Sequence, residues 1–416
     1  MSAIKQFTKF LVNPDEKYMI IQGSAGTGKS TLIEYLIKSL DSQLKMYELL
    51  LRKNKTQTEW EAVLTATTNK AAAVLKELTG METQTIHSLL RLIVRPNVIT
   101  GTVKLSKKKD RNLLYNKLII LDEASMMNDE LFEILEETIV DCKVVFIGDK
   151  YQLAPVRQKI PVMDTIQCPT ATLHKVMRHA GDILHTSAQF RDTVEDSVWA
   201  EVPDLPTLQK VDGPTFQKLI DAAFTDKNYN SSTAKVLAWT NKRVMAYNAH
   251  IRQLKGFPPI ITEGEVMFTN KPIMAGRDNW ATDSKIYITE VGPLIVNHKV
   301  EGRMVEINNR VSFFNPEDQN DARDLFKRLA KAAKVDGRKW QTFFELKEGW
   351  LDLRPAYAST VHKAQGATYD TVFIDLGDIG RCNIESDVAR MMYVSISRAA
   401  NQVYFYGELP SKYQEQ

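Results

Sequence analysis

Short apolar runs recur along the chain, and each breaks off into glycine or polar residues ahead of a segment with helical spacing. Tyr18-Met-Ile-Ile-Gln22, Val63-Leu64, Leu118-Ile-Ile-Leu121 and Val144-Val-Phe-Ile147 lie in the first half, and Val236-Leu-Ala238 and Thr371-Val-Phe-Ile-Asp-Leu376 in the second. Runs this short, bounded by turn signals, suit strands buried on both faces of a parallel sheet. Helical spacing follows several of them, as in Thr31–Leu40 and in the alanine-rich stretch after Asn69. The alternation on both sides of residue 170 predicts an α/β chain with two such cores.

Two stretches break the alternation. The first, 89–115, contains LIVRPNVITGTVKLSKKK, whose apolar positions alternate around Pro96-Asn97 and Thr100-Gly101 and predict a small β-hairpin. The second, 256–352, begins with short alternating runs punctuated by glycine, as in a small SH3-like barrel. It continues with NPEDQNDARDLFKRLAKAAKVDG, where Asn315 is expected to cap a helix, Pro316 to take its first turn and Gly337 to stop it. Ala322, Leu325, Phe326 and Leu329 form one face of that helix, and Trp340, Phe343 and Phe344 sit on a second helix placed to pack against it. The expected organisation is a first core of 1–88 and 116–168 interrupted by the hairpin, and a second core of 169–255 and 353–416 interrupted by the barrel and helical tower.

A chain of 416 residues is too long for one core. Its 44% hydrophobic and 25% charged content is that of a globular protein, with no apolar run of 18 residues and no N-terminal signal pattern, so an intracellular protein is expected. Cys142, Cys168 and Cys382 form no CxxC pair and read as buried free thiols. A net charge of +3 excludes a generally basic protein, so nucleic acid would have to be held on a local track. One compact basic run, Ser106–Arg111, follows the hairpin.

IQGSAGTGKST, Ile21–Thr31, matches GxxxxGK[ST] between a strand-like run and a helical one. In that setting Gly23, Ala25, Gly26, Thr27 and Gly28 bring backbone N–H groups to a phosphate at a helix N-terminus, with Thr31 in the first helical turn. Lys29 reaches the β- and γ-phosphates, and the Ser30 hydroxyl suits Mg²⁺. A second metal ligand should end a buried strand, and LDEAS supplies Asp122, with Glu123 beside it to orient or deprotonate water. A third strand, ending in GDKYQLAPV, places Asp149 and Gln152 at its C-terminal end. Gln152 can donate to a γ-phosphate and accept from water, which makes it a candidate sensor of ATP against ADP. Such a P-loop with Asp-Glu fits a kinase, a transporter ATPase, a recombinase or a helicase.

The order of P-loop, TATTNKAAAVL (Thr65–Leu75), TIHSLL (Thr85–Leu90), LDEAS and GDKYQLAPV resembles the superfamily-one helicases, and TIHSLL resembles the RecD/Dda group among them. WTNK (Trp239–Lys242), HKAQG (His362–Gly366) and SRA (Ser397–Ala399) continue the likeness through the second half. The resemblance implies two RecA-like P-loop domains, ATP and Mg²⁺ as cofactors, and 5′ to 3′ movement on single-stranded DNA. It assigns Arg178 and Arg398 to the ATP phosphates, and Gln365-Gly366 to the nucleotide cleft. Gln6 resembles the glutamine that reads adenine in this family. DNA-backbone contacts are implied for Thr67, Thr85, His87, Thr240, Asn241, Lys242, Thr360 and His362, with Lys363 adding charge nearby.

In the family the hairpin is the pin that splits the duplex, often through an aromatic wedge. No Phe, Trp or Tyr lies between Leu89 and Leu114, so Pro96, Val98 or Ile99 would have to separate strands. A translocase that strips proteins with little unwinding is therefore the alternative expectation. The resemblance further implies a tower that braces the pin, a monomer at single- to double-strand junctions, a single-stranded-DNA-binding protein as candidate partner, and a cytoplasmic site in a bacterial or phage-infected cell. A small-molecule kinase leaves the second core unexplained, and an inactive subunit leaves the intact nucleotide residues unexplained.

Overall fold

The computed structural model describes residues 3–24, 26–40, 42, 60–96, 103–107, 113–153, 163, 165–174, 181–276 and 278–414. The first core is a six-stranded parallel sheet in the order Thr170–Leu173, Tyr18–Gly23, Lys143–Gly148, Lys117–Asp122, Glu61–Ala66, Thr83–Thr85. Its central strands are buried on both faces, and Lys143–Gly148 is buried at every position, which explains their continuous apolar character. The second core is a five-stranded parallel sheet, Leu208–Val211, Ala399–Tyr406, Tyr369–Asp375, Ala234–Ala238, Ala358–Thr360. The chain is thus mixed α/β with two parallel-sheet cores, and each carries one of the insertions.

Two boundaries differ from expectation. Strand Thr170–Leu173 pairs with Tyr18–Gly23 and belongs to the first sheet, beyond the expected end at 168. Leu353–Pro355, expected in the second core, pairs with Val266–Thr269 as the last strand of the barrel. That barrel sheet runs Val311–Pro316, Val300–Ile307, Lys285–Asn297, Val266–Thr269, Leu353–Pro355, all antiparallel. The Leu351 N–H donates to the Phe314 carbonyl at 2.8 Å, which draws its two edges together.

In the tower, Asn315 and Pro316 do not start the helix. The ladder of Val300–Ile307 continues to them, with Gly302 opposite Pro316, and a Cβ at Gly302 would lie 2.4 Å from the Phe314 ring. Pro is tolerated there because Val311–Pro316 is an edge strand. Asp318 caps instead, accepting from the Asn320 N–H at 2.7 Å, and the helix spans Gln319–Ala333 rather than running to Gly337. It packs on helix Lys339–Gly349 through Phe326 against Phe343, with Trp340 and Phe344 beside them.

The hairpin forms as Leu92–Pro96 against Val103–Lys107, with Pro96 opposite Val103. Its connection lies outside the described residues, and with it Val98 and Ile99; Pro96 is placed only as the last residue of the ladder. Cys142 and Cys382 are buried, whereas Cys168 is half-exposed.

Candidate nucleotide and nucleic-acid site

Strand Tyr18–Gly23 delivers the chain into the glycine-rich turn. Gly26 and Gly28 adopt φ of 79° and 80°, left-handed values that a side chain would strain. At Gly23 an added Cβ would meet the Thr27 hydroxyl at 2.4 Å, so that position has no room for one. Helix Lys29–Lys38 follows at once, with Ser30 half-buried and Thr31 exposed on its first turn. The Lys29 ammonium donates to the carbonyls of Gly23 at 2.7 Å and Ser24 at 3.1 Å, and the Thr27 hydroxyl to Ser24 at 2.9 Å. Ala25 lies outside the described residues.

Beside the P-loop, strand Lys117–Asp122 ends on the buried Asp122. Burial first, and then the neighbouring Glu123 charge, push the Asp122 carboxyl up to about 7, against the pull of Lys29. Glu123 itself takes φ 54°, ψ 37°, a left-handed conformation uncommon outside glycine that recurs where geometry serves a site. Thr67 holds this turn: its hydroxyl donates to the Glu123 carbonyl at 3.1 Å and its N–H to the Asp122 carbonyl at 3.3 Å. A site for a Mg²⁺-nucleotide is consistent with these groups. Ser30 and Asp122 are oxygen donors of the kind Mg²⁺ takes. Two acceptors, Gln6 Oε1 and Gln365 Oε1, are buried without a partner among the described residues.

The two cores meet at this site. Gln365 Nε2 of the second core donates to Gln152 Oε1 of the first at 3.1 Å, and Gln152 is 2% exposed. A Cβ on Gly366, where φ is 72°, would stand 3.7 Å from Glu123 Oε1. The Tyr393 hydroxyl donates to Asp149 Oδ2 at 2.6 Å, and the Arg390 guanidinium donates to the Gln152 carbonyl at 2.6 Å. Arg398 is buried inside the second core, donating to the carbonyls of Val394 and Ala367, both at 3.3 Å, and to the Ser397 hydroxyl at 3.0 Å. Arg178 lies outside the described residues.

The expected DNA residues fall into two matching sets, one per core. In the first, Thr85 ends strand Thr83–Thr85 and caps a short helix carrying His87, accepting from Ser88 N–H at 3.2 Å. In the second, Thr360 ends strand Ala358–Thr360 and caps one carrying His362, accepting from Lys363 N–H at 3.4 Å. Burial holds both imidazoles below the usual histidine value. The same doubling appears one strand away: Thr68 caps helix Asn69–Thr79, and Thr240 caps helix Asn241–Leu254. Thr240 is further fixed by Asp378, which accepts from its hydroxyl at 2.8 Å and its N–H at 2.7 Å.

Thr68, Asn69 and Lys70 were missed as candidates in the sequence. The signal was there, since Thr-Asn-Lys stands at both 68–70 and 240–242. Burial, then the nearby Arg398 guanidinium, push Lys70 down to about 8, so the first core's lysine feels the second core's arginine. Asn241, Lys242, Thr360 and Lys363 line one cleft of 1120 Å³ between the second core, the barrel and the tower. Thr67, Thr85 and His87 do not line it. Lys363 reaches across this cleft to the barrel, donating to Asn270 Oδ1 at 3.0 Å.

Two parallel-sheet cores that share a P-loop and an Asp-Glu pair across their junction define a two-core P-loop ATPase. Comparison with known proteins narrows the class. The family model described as an AAA domain matches residues 5–199, and that described as a UvrD-like helicase C-terminal domain matches 355–406. The chain is 25% identical over 440 residues to the ATP-dependent DNA helicase dda of Enterobacteria phage T4, covering 95% of each. It is also 25% identical over 455 residues to the ATP-dependent DNA helicase PIF1 of Emericella nidulans, covering 91% of this chain and 56% of that protein. Among solved structures, the Pif1 helicase from Bacteroides in complex with ADP-AlF3 and ssDNA shares the fold, with a TM-score of 0.51 at 15% identity over 100% of this chain and 94% of that one. The chain is an ATP-hydrolysing DNA helicase, similar over nearly its whole length to dda.

Proposed function

We propose that this ATP-hydrolysing DNA helicase moves 5′ to 3′ along single-stranded DNA and separates duplex, by opening and closing its two cores around ATP. One observation carries the coupling of nucleotide state to grip on the strand, while the 5′ to 3′ direction rests on the resemblance to superfamily-one helicases. The loop Ser359–Gly366 touches the nucleotide side through Gln365–Gln152 and Gly366 beside Glu123, and the nucleic-acid side through Thr360 and Lys363. A single segment that feels both ligands converts nucleotide state into grip on the strand.

In this mechanism Gln6 reads the adenine edge, its buried oxygen accepting from the 6-amino group. The P-loop N–H groups and Lys29 hold the phosphates, and Lys29 leaves the carbonyls of Gly23 and Ser24 to do so. Ser30 and Asp122 would hold Mg²⁺, which would supply neutralisation of phosphate charge. Glu123, held in its left-handed turn by Thr67, orients the attacking water and accepts its proton. Gln152 senses the γ-phosphate, and its bond to Gln365 passes the change to the second core. Arg178 and Arg398 stabilise the transition-state charge when the cleft closes, Arg398 leaving the carbonyls of Val394 and Ala367 to do so. Thr85, His87, Thr240, Asn241, Lys242, Thr360 and His362 grip successive backbone phosphates in two sets, and alternation of the two grips moves the strand.

The test is ATP hydrolysis with and without single-stranded DNA. At least tenfold stimulation supports the reading, and hydrolysis indifferent to DNA sinks it. A second reading, a translocase that strips proteins, is favoured by the lack of any aromatic residue between Leu89 and Leu114. Rapid displacement of streptavidin from a DNA end without opening of a duplex selects it.

A further inference from the structure

Lys143 opens the buried strand Lys143–Gly148 that leads to Asp149 and Gln152, yet it is a lysine only 5% exposed and the hydrolytic site makes no use of it. Its ammonium donates to three backbone carbonyls: Phe10 at 2.9 Å, Asn13 at 2.7 Å and Glu16 at 2.6 Å. It also sits 4.6 Å from the Phe10 ring centroid and 5.6 Å from that of Trp60. Every ammonium proton therefore has an acceptor, and the acceptors are one helix end and the turn after it.

That helix is Ala3–Val12, which carries Gln6. Its last carbonyls have no partner within the helix, and a cation there also meets the negative end of the helix dipole. The turn 13–17 then leads directly into strand Tyr18–Gly23 and the P-loop. One side chain thus ties together the helix with the base-reading residue, the strand with the phosphate loop, and the strand with the γ-phosphate sensor. Apolar contacts of Phe7, Phe10 and Leu11 hold the helix on the sheet. Such contacts are non-directional and leave sliding along the helix axis weakly opposed, whereas three short directed bonds fix the axial position.

We propose that Lys143 is a positioning residue for nucleobase recognition, setting the axial place of helix Ala3–Val12 and so the reach of Gln6 to a base whose phosphates the P-loop holds. The inference rests on the reading of Gln6 given above. Burial pushes the Lys143 ammonium down to about 8, with Glu16 pulling the other way.

The experiment compares ATP and GTP hydrolysis, with saturating single-stranded DNA, in the full chain and in Lys143→Met, Lys143→Gln and Gln6→Ala. Lys143→Met should raise KM for ATP about tenfold with kcat within twofold and KM for GTP unchanged, so the preference for ATP collapses as it does in Gln6→Ala. Lys143→Gln keeps a polar head that reaches some of the carbonyls, and should lose about threefold of the preference; it is read in place of Lys143→Met if the latter does not fold. A purely structural role would lower kcat for both nucleotides together. Either Lys143 variant, folded and with the ATP preference intact, overturns the proposal while Gln6→Ala still loses it. If Gln6→Ala keeps the preference, the reading of Gln6 fails instead.

Discussion

Removing the amide that joins the cores isolates their coupling from the chemistry. In Gln365→Ala the Gln365 Nε2 to Gln152 Oε1 bond of 3.1 Å is lost, and Gln152, 2% exposed, keeps a buried oxygen without that donor. A neutral buried hydrogen bond contributes about 1 kcal/mol net, and stranding its partner costs about 1–3 kcal/mol. If that bond forms as the cores close for hydrolysis, the loss of about 1.5–2 kcal/mol lowers the DNA-stimulated rate by roughly 10–30-fold. The assay is the ratio of hydrolysis with saturating single-stranded DNA to hydrolysis without it, in Gln365→Ala, Gln152→Ala and the double variant. Two groups that act through one bond should give an interaction energy close to the single-variant loss, about 1.5–2 kcal/mol, the double variant being little worse than either single one. Strictly additive losses would show that the two amides do separate jobs, and would refute the joint.

Three other outcomes follow from the geometry. Lys29→Ala should abolish turnover and leave single-strand affinity within about threefold, because among the described residues Lys29 bonds P-loop carbonyls and does not line the cleft that Thr360 and Lys242 line; loss of DNA binding by the folded variant would contradict this. Gly366→Ala forces a side chain into φ 72°, at a cost of about 1–2 kcal/mol, and should lower DNA-stimulated hydrolysis about tenfold, since its new methyl only brushes Glu123 at 3.7 Å; unchanged kinetics would remove the loop's backbone from the mechanism. Burial lowers the pKa of His87 and His362, so both are neutral at pH 7 and at pH 8. The slope of log Kd against log salt should be the same at those two values and steepen only on acidification below the ordinary histidine range; a steeper slope at pH 7 than at pH 8 would contradict neutral imidazoles.

The P-loop and the Asp-Glu pair were legible because each is a consecutive string set by one strand end, and the parallel cores because their buried strands are apolar throughout. The joint was legible only in part. HKAQG marks itself by its crowding of polar groups, but its partner Gln152 lies 213 positions away, and no local signal marks Tyr393, a hydroxyl inside an apolar helix that finds Asp149. Lys143 reads as the polar edge of a strand, since nothing in its neighbours shows that Phe10, Asn13 and Glu16 will offer their carbonyls there. The tower start was misread at Asn315-Pro316 because local capping chemistry lost to the pairing of Phe313 and Phe314 with Val300–Ile307. Thr240 was assigned to DNA from its motif; its hydroxyl is also the clasp that Asp378 uses to fix the loop, a contact only the folded sheet reveals.

The central claim is directional, ATP-driven strand separation, and unwinding of tailed duplexes tests it most directly. Two substrates of the same duplex, one with a 5′ single-stranded tail and one with a 3′ tail, are incubated with the full chain, ATP and Mg²⁺. The account predicts that the 5′-tailed duplex opens and the 3′-tailed one stays closed, with neither opening when Lys29 is replaced by alanine. Equal opening of both, a preference for the 3′ tail, or no strand separation beside vigorous DNA-stimulated hydrolysis would contradict it.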